Sequence, residues 1–325
     1  MEHYVRVMPY QVIEQEAEVK EVPEGVELIQ APMIWSKTKG KGITVAVLDT
    51  GCDSSHPDLQ KQIIGGRNFT DDDGGHPDIF KDYNGHGTHV AGTIAAQEND
   101  NGVIGVAPEA SLLIIKVLNK KGSGQYDWII DGINYAIEQK VDIISMSLGG
   151  PTDIPELYQA VKKAIANNIL VVCAAGNEGD NNDSTDEFAF PGSYNEVISV
   201  GAINFERRSS EFTNSHNEID LVAPGEGIVS TYLNGKYATL SGTSMAAPHV
   251  SGALALIKNL ANSSFERKLS ESELYAQLIK RTVPLGNSAK LEGNGLIYLT
   301  VLDHLAKVFD QEVKTMVMNR QASFS

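Results

Sequence analysis

Short apolar segments alternate with amphipathic segments between Ile43 and Val250. The apolar segments predict strands at 43–49, 111–118, 141–147, 169–175 and 197–203. These segments are apolar at nearly every position, as expected for strands that are covered on both faces. Strands that alternate with helices are typical of βαβ units, so the pattern predicts an α/β fold with a mostly parallel sheet.

One amphipathic segment, 126–140, carries Ile129, Ile133 and Ala136 on a single helical face, and we expect this helix to pack on the sheet. Further helices are predicted at 87–96, 155–167, 244–259 and 270–281. A chain of 325 residues can form one large α/β domain.

The two ends of the chain differ from this pattern. Four glutamates lie between Glu14 and Glu21, where few apolar residues are available for packing. We therefore divide the chain into an N-terminal arm at 1–25, a domain at 26–309 and a C-terminal tail at 310–325.

Composition narrows the possible functions. The net charge is −16, which disfavours binding to nucleic acid or to anionic membrane surfaces and favours divalent cations. The first residues show no secretory signal and no segment is apolar enough to span a membrane, so we expect a cytoplasmic protein. The two cysteines, Cys52 and Cys173, lack the spacing of a metal or redox site and are expected to be reduced.

Two polar residues follow apolar or glycine-rich segments in the first half of the domain. Asp49 ends the strand predicted at 43–49, and the carboxyl ends of parallel strands are where active sites form, although Asp49 alone could simply cap a turn. His86 lies between two glycines, which leave room around its ring. His89 could indicate zinc together with His86, but no cysteine or carboxylate follows at helical spacing, so we interpret it as a packed histidine.

Two further polar residues lie in the second half of the domain. Ser244 opens the helix predicted at 244–259, where its own N–H faces the positive end of the helix. Thr243 or Ser244 could instead be an N-cap. Asn177 follows an apolar strand in AAGNEG and could donate its amide N–H to an oxyanion, or it could only form a turn.

Taken together, these residues predict nucleophilic catalysis. A serine hydroxyl needs a base within hydrogen-bonding reach, and that base needs a partner that fixes its tautomer. Asp49, His86 and Ser244 can supply these groups, with Asn177 as oxyanion donor beside the Ser244 N–H.

The segments DTGCDSSHPDL, GHGTHVAGT, SMSLGG, AAGNEG and GTSMAAPHVSG resemble the signature segments of the subtilisin-like serine proteases, over roughly residues 26–305. The chain order Asp, His, Ser is also that of subtilisin. The resemblance implies a three-layer fold with about seven mostly parallel strands and helices on both faces. It also implies endopeptidase activity on proteins and peptides, with a groove that binds substrate as an added strand.

The same resemblance implies which residues line that groove. Its edges are expected at Lys121 to Gly124 and at Ser147 to Gly149. The expected substrate-binding residues are Gly122, Ser123, Gly124, Tyr126, Ser147, Leu148, Gly149, Ala174, Gly176 and Ala189.

Calcium is the cofactor that the resemblance implies, since calcium takes six to eight hard oxygen ligands. The expected ligands are Asp58, Gln97, Asn99, Asn101 and Val103. A weaker cation site is expected at Gly192, Tyr194, Val197 and Asp220. For the acidic loops 71–73 and 180–183 we favour a solvated surface over a bound ion.

Val7, Met8, Pro9 and Tyr10 resemble the Leu-Ile-Pro-Tyr/Phe motif in the arm of the intracellular subtilisin proteases of bacilli. That subgroup is cytoplasmic, calcium-dependent and usually homodimeric, and the same is expected for this chain.

For the arm we predict an inhibitory role. Val5 to Tyr10 is expected to lie along the groove as an added strand, with Pro9 preventing cleavage because its fixed φ and missing N–H turn the chain. Residues 14–21 are expected to form an exposed tether, and a second molecule is expected to cut between Tyr10 and Val22 to release the arm. A loose terminus without contacts is the alternative.

Two other functions remain open at this point. An esterase or acyl transferase could use the same triad, although the GxSxG elbow of α/β-hydrolases is missing. An inactive relative could act as a binding module, but it would have no reason to keep the triad and Asn177.

Overall fold

The computed structural model of the protein describes residues 4–16, 19–308 and 311, with residues 13–16 described by their backbone alone. The strands are β1 (Tyr4–Val7), β2 (Gln11–Glu16), β3 (Thr44–Asp49), β4 (Ile63–Asn68), β5 (Ser111–Lys116), β6 (Ser123–Gln125), β7 (Ile143–Met146), β8 (Leu148–Gly149), β9 (Leu170–Ala174), β10 (Ile198–Ile203), β11 (Leu221–Pro224), β12 (Ile228–Tyr232), β13 (Lys236–Ser241), β14 (Thr282–Val283) and β15 (Leu296–Ile297). The helices include α1 (Glu24–Leu28), α2 (His86–Ala95), α3 (Tyr126–Glu138), α4 (Pro155–Ala166), α5 (Thr243–Ser264), α6 (Glu271–Ile279) and α7 (Ala289–Glu292).

The central sheet has nine strands in the order β14-β15-β11-β10-β9-β7-β3-β5-β4. The strands from β11 to β4 run parallel to one another, and each has four to six residues. The two-residue strands β15 and β14 extend one edge, and β14 is antiparallel. The predicted fold class is confirmed, with short strands added beyond the about seven expected.

Helices cover both faces of this sheet. Val45 and Val47 of β3 belong to a buried cluster that includes residues of α2 and α5. The alternate residues, Ala46 and Leu48, belong to a second cluster that includes residues of α3 and α4. Because side chains alternate between the faces of a strand, the two clusters lie on opposite sides of the sheet. The carboxyl ends of its strands are therefore held between two packed layers.

Two smaller sheets each take one strand from the N-terminal residues. Their strand orders are β6-β1-β8 and β12-β13-β2. The expectation of an exposed tether at 14–21 is wrong for residues 14–16, because β2 pairs antiparallel with β13. The alternation of charged and uncharged residues in this segment suits an edge strand, a signal that the glutamate count obscured.

Three other expectations concern the two ends of the chain and the lack of a membrane-spanning segment. Helix α1 spans the boundary that was drawn between 1–25 and 26–309. The predicted tail 310–325 lies outside the described residues except for Gln311. Among the described residues, no helix is both long and apolar enough to cross a membrane.

Candidate active site

The structure places Asp49 and His86 in direct contact. Asp49 is the buried last residue of β3, and His86 is the first residue of α2. His86 Nδ1 lies 2.8 and 3.0 Å from the two carboxylate oxygens of Asp49. Since a carboxylate accepts hydrogen bonds, the proton belongs on Nδ1, and this tautomer leaves Nε2 free to accept one.

Ser244 lies at the start of α5, but its hydroxyl faces another partner. Ser244 Oγ donates to the carbonyl oxygen of Ser147 at 3.1 Å, and Ser147 Oγ donates to the carbonyl of Ser244 at 3.0 Å. Within the described chain His86 Nε2 has no hydrogen-bond partner. The structure thus brings Asp49 and His86 together and leaves the hydrogen bond from Ser244 to His86 unmade.

The side chain of Asn177 is held in one orientation. Its Oδ1 accepts hydrogen bonds from the Thr243 backbone N–H and hydroxyl, both at 2.8 Å. Its Nδ2 donates to the carbonyl oxygen of Pro9 at 2.5 Å. The amide N–H is therefore directed at the chain segment that crosses the site.

That segment begins with β1, which lies between the two predicted groove edges. Val5 pairs with Gly124 and Arg6 with Ser123 of β6, while Val7 pairs with Leu148 of β8. The N–H of Val7 also donates to the carbonyl of Gly122 at 2.8 Å. Both pairings are antiparallel, so residues 4–7 form the middle strand of a three-stranded sheet.

Two arm side chains are buried among the expected pocket residues. Val5 belongs to the same buried cluster as Tyr126 and Leu148. Met8 is 1% exposed and belongs to the same cluster as Ala174 and Ala189. A Cβ atom on Gly149 would lie 2.1 Å from the Met8 methyl, so glycine at this position makes room for the side chain. Gly176 has φ +119°, and a Cβ atom at this position would lie 2.0 Å from Asn214 Nδ2.

Pro9 and Tyr10 contact residues of the catalytic centre. The Tyr10 ring lies 5.0 Å from the His86 ring, centroid to centroid, and its hydroxyl donates to Asn84 Oδ1 at 3.1 Å. Burial raises the pKa of Tyr10, with Tyr232 and Asp49 as further causes, so the hydroxyl stays protonated. The ring therefore covers the imidazole as a neutral group.

Comparison with known proteins identifies the family of the chain. Residues 40–299 match the sequence profile of the subtilase family, Peptidase_S8. The chain belongs to the subtilase family. It is 74% identical over 312 residues to an intracellular serine protease of Paenibacillus polymyxa, covering 96% of both chains. It is 64% identical over 309 residues to the major intracellular serine protease of Bacillus subtilis strain 168, covering 94% of this chain and 97% of that one. Subtilisin E of the same strain is 44% identical over 281 residues, which are 85% of this chain and 70% of that protein.

These matches confirm the predictions of a subtilisin-type serine protease and of an intracellular enzyme. They favour the protease over the esterase and the inactive binding module, since the relatives that match over nearly their whole length are named as proteases.

The residues expected to bind calcium surround Asp58, which is fully buried. Its carboxylate accepts hydrogen bonds from Asn99 Nδ2 at 2.8 Å, from the Val103 N–H at 3.0 Å and from the Tyr237 hydroxyl at 3.1 Å. The Gln97 N–H donates to the Asp58 carbonyl at 2.8 Å. Asn101 N–H donates to Asn99 Oδ1 at 3.1 Å. The loop 97–103 therefore wraps around one buried carboxylate.

The residues expected to form the weaker cation site make contacts with different partners. The carboxylate of Asp220 accepts from the Ser199 N–H at 2.8 Å and from the Tyr275 hydroxyl at 2.6 Å. Burial raises the pKa of Asp220 to about 6. The Val197 N–H donates to the Tyr194 carbonyl at 3.3 Å, and Gly192 lies against the Ala174 carbonyl. Among the described residues no group of three or more His, Cys, Asp or Glu side chains could hold a metal.

The histidine at 89 and one acidic loop have structural roles. His89 Nε2 donates to the carbonyls of Ile228 and Ala238, and burial lowers its pKa to about 3, so the ring is neutral. Asp72 is buried and pairs with the fully buried Lys116 at 3.0 Å. The expectation of a solvated or ion-binding surface is therefore wrong for Asp72, because Lys116 supplies the positive charge. A lysine inside the apolar segment 111–118 was the available signal.

Asp82 is a structural link in the site that sequence reasoning missed. Its Oδ1 accepts from the Thr50 hydroxyl and from the N–H groups of Asn84 and Gly85, at 2.8 to 2.9 Å. Its Oδ2 accepts from the N–H and the hydroxyl of Thr88 at 3.0 and 2.7 Å. One buried carboxylate thus ties the residue after Asp49 to both sides of His86. Its place four residues before His86, just ahead of a helix, was the only signal.

Proposed function

We propose that this subtilase is an intracellular serine endopeptidase that is made as an arm-inhibited zymogen. In it Asp49 orients His86, His86 takes the proton of Ser244, and Ser244 attacks the peptide carbonyl to form an acyl-enzyme. The short contacts between Asp49 and His86 Nδ1 support the first step. A rotation of the Ser244 side chain away from the Ser147 carbonyl would allow the second.

Asn177 is the proposed oxyanion donor, with the Ser244 N–H as its companion. Two contacts support this role. Thr243 holds the amide oxygen of Asn177, and Nδ2 of the same amide donates to the Pro9 carbonyl in the groove. A donor that is held before the reaction does not have to reorganise when charge develops on the substrate oxygen.

The proposal of inhibition rests on a mismatch within the arm, between the residue that fills the pocket and the residue whose carbonyl Asn177 holds. In a substrate, the residue whose side chain fills the pocket also supplies the carbonyl that the oxyanion donor holds. In the arm, Met8 fills the pocket while Asn177 holds the carbonyl of Pro9. The two requirements are met by different residues, so neither carbonyl is set up for attack.

Pro9 explains how such a mismatch can be kept. Its ring fixes φ and removes the N–H, so the added strand cannot continue through this residue. β1 accordingly ends at Val7, and β2 begins only at Gln11. Cleavage between Tyr10 and Val22, by a second molecule, would then release the arm and open the groove.

Calcium is proposed to bind at Asp58 and the loop 97–103. In the described part of the chain, no hydrogen bond ends on the carbonyl oxygens of Gln97, Asn101 or Val103, so these oxygens are available as ligands. Asn99 turns its Nδ2 toward Asp58, and half a turn of this amide would present Oδ1 instead. One carboxylate, one amide and three carbonyls are oxygen donors of the kind that calcium takes, and the ion would tie the loop to the domain. The weaker site at Asp220 and the homodimer stay predictions.

The decisive experiment follows peptidase activity of the full chain from the moment of dilution, with a peptide p-nitroanilide as substrate and mass spectrometry of the N-terminus. We expect a lag that shortens with enzyme concentration, since one molecule cuts another, and activity that rises as the arm is lost. Pro9→Ala should lose its arm faster, whereas Gln11→Ala, at an exposed position two residues further along the chain, should keep the normal lag. Full activity at time zero with an intact N-terminus would overturn the inhibitory role of the arm.

A further inference from the structure

A fully buried lysine lies beside the catalytic strand. Lys116 is the last residue of β5 and pairs in register with Asp49 of the parallel strand β3. Its Nζ donates to the carbonyl oxygens of Thr50 and Leu118, at 2.6 and 3.0 Å, and lies 3.0 Å from Asp72 Oδ2. An ammonium group has three donors, and these three oxygens use all of them. The buried charge is therefore fully hydrogen-bonded.

Thr50, which one of these bonds holds, is itself bonded to the catalytic carboxylate. The Thr50 N–H donates to Asp49 Oδ1 at 2.7 Å, and His86 Nδ1 lies 2.8 Å from the same oxygen. The Thr50 hydroxyl donates to Asp82 Oδ1 at 2.9 Å. Thr50 is thus held at its side chain by Asp82 and at its carbonyl by Lys116, while its N–H is directed at Asp49.

The residue after Thr50 gives its carbonyl little restraint. Gly51 has φ +106°, a conformation that glycine adopts readily, and glycine leaves the backbone freer than any other residue. The peptide unit between Thr50 and Gly51 would turn easily if nothing bonded its oxygen. A hydrogen bond from an ammonium group is roughly twice as strong as a neutral one. A methionine in place of Lys116 would fill the same space but leave this oxygen without a donor.

We propose that Lys116 is a positioning residue of the catalytic centre. Its ammonium group holds the Thr50 carbonyl, so the Thr50 N–H stays directed at Asp49 Oδ1. The Asp49 carboxylate then keeps the orientation in which it bonds His86. This inference rests on the proposed function, in which Asp49 orients His86. Asp72 has a different part, since it supplies the negative charge that balances Lys116.

The first test is Lys116→Met, which keeps the length of the side chain and removes its charge and its donors. We expect kcat of the processed enzyme on a peptide p-nitroanilide to fall about tenfold at nearly constant KM, since small displacements of catalytic groups are costly. The matched control is Lys258→Met. Lys258 is also buried and pairs with Asp142 at 2.9 Å, and Asp142 accepts the N–H of Thr44 at the opposite end of β3. This control should lose stability but keep its kcat. Equal kcat in the two variants would overturn the inference.

The double variant Lys116→Met/Asp72→Asn separates positioning from neutralisation, and it carries the test if Lys116→Met alone does not fold. Removing one partner of a buried ion pair is costly, whereas removing both charges costs much less. Unfolding in denaturant should therefore show a double variant that is more stable than Lys116→Met. Its kcat should stay about tenfold low, because the Thr50 carbonyl still lacks its donor. A kcat restored to the normal value would mean that Lys116 serves only to neutralise Asp72, and would overturn the inference.

A third measurement needs no turnover. In the full chain carrying Ser244→Ala, the proton on His86 Nδ1 should give an NMR resonance downfield of the backbone amides, because it is buried and bonded to Asp49. Adding Lys116→Met should shift or broaden this resonance, whereas adding Lys258→Met should leave it in place. A resonance that Lys116→Met leaves unshifted and sharp would contradict the positioning role. Failure of the proposed function would look different, since Asp49→Ala would then hydrolyse the p-nitroanilide at the normal rate.

Discussion

The catalytic centre and the arm touch one another, yet the protein holds them by different means. Asp49, His86 and Ser244 lie at the ends of elements that are buried in the two main clusters. The arm forms the middle strand of one small sheet and an edge strand of another, and of its side chains from Tyr4 to Val12 only Val5 and Met8 are buried. Burial of each contributes about 1.5–3 kcal/mol, far less than the core gains. We therefore expect the centre to stay assembled when the arm leaves, as the proposed function requires.

Ser244→Ala is the substitution for which we expect the largest effect on catalysis. We expect turnover to fall by about 10⁶, the value known for loss of this serine in subtilisin rather than one derived from this structure. The fold should persist, since the hydroxyl bonds only the Ser147 carbonyl. The variant should keep its arm until active enzyme is added, as N-terminal mass spectrometry would show.

A matched control for this variant is Ser263→Ala, at an exposed position of the same helix, which should behave like the unaltered chain. If Ser244→Ala still processed its own arm without added enzyme, another residue would have to be the nucleophile.

Asn177→Ala tests the residue at which the two regions meet. Turnover should fall by about 10²–10³ with little change in KM, the range known for this donor in subtilisin. When the variant is treated with a fixed amount of unaltered, processed enzyme, its arm should also be lost faster than that of Ser244→Ala, because the hydrogen bond from Nδ2 to the Pro9 carbonyl disappears. Steady-state kinetics of processed enzyme gives the first result, and mass spectrometry of the N-terminus during the treatment gives the second. A higher KM with unchanged turnover would instead make Asn177 a ground-state binding residue.

The same two regions differ in how far the sequence predicts them. The apolar segments predicted β3, β5, β7, β9 and β10, because strands buried on both faces need apolar residues throughout. Signature segments at their ends pointed to Asp49 and Asn177. The sequence did not reveal β4, whose segment IIGGRN is not continuously apolar, or β12 and β13, which lie outside the main sheet.

The features that the sequence did not predict depend on contacts between residues that are far apart in the chain. The bond between Asp82 and Thr50 joins residues 32 positions apart, and the pair of Lys116 with Asp72 also depends on tertiary packing. The pairing of β2 with β13 joins the first residues of the chain to positions 237–241. No local pattern specifies such a partner, so the glutamates of the arm suggested a tether.

Asp82→Asn examines how rigidly the centre is held. The amide would turn an NH₂ group toward groups that are themselves donors, so hydrogen bonds to Thr50 or Thr88 would be lost. We expect turnover of processed enzyme to fall about tenfold at nearly constant KM, since small displacements of catalytic groups are costly. Unfolding in denaturant should show a loss of about 1–3 kcal/mol.

Asp53→Asn provides the control, because Asp53 also accepts several hydrogen bonds, from Ser55, Asn234 and Gly235, without joining Asp49 to His86. It should lose stability but keep its turnover. Equal turnover in the two variants would mean that Asp82 only stabilises the fold.

The smallest effect on catalysis is expected from calcium, whose proposed site lies where the arm rejoins the domain. Val19 packs against Val103 and Tyr237, and the Tyr237 hydroxyl donates to Asp58. An ion that binds only the folded chain adds about 2.7 kcal/mol of stability at a hundredfold excess over Kd. We therefore expect chelation to lower Tm by several degrees. In Asp58→Asn, which lacks the carboxylate, calcium should no longer change Tm. An unaltered Tm in the native chain, with metal analysis showing that the ion has been removed, would mean that this loop holds its shape without calcium.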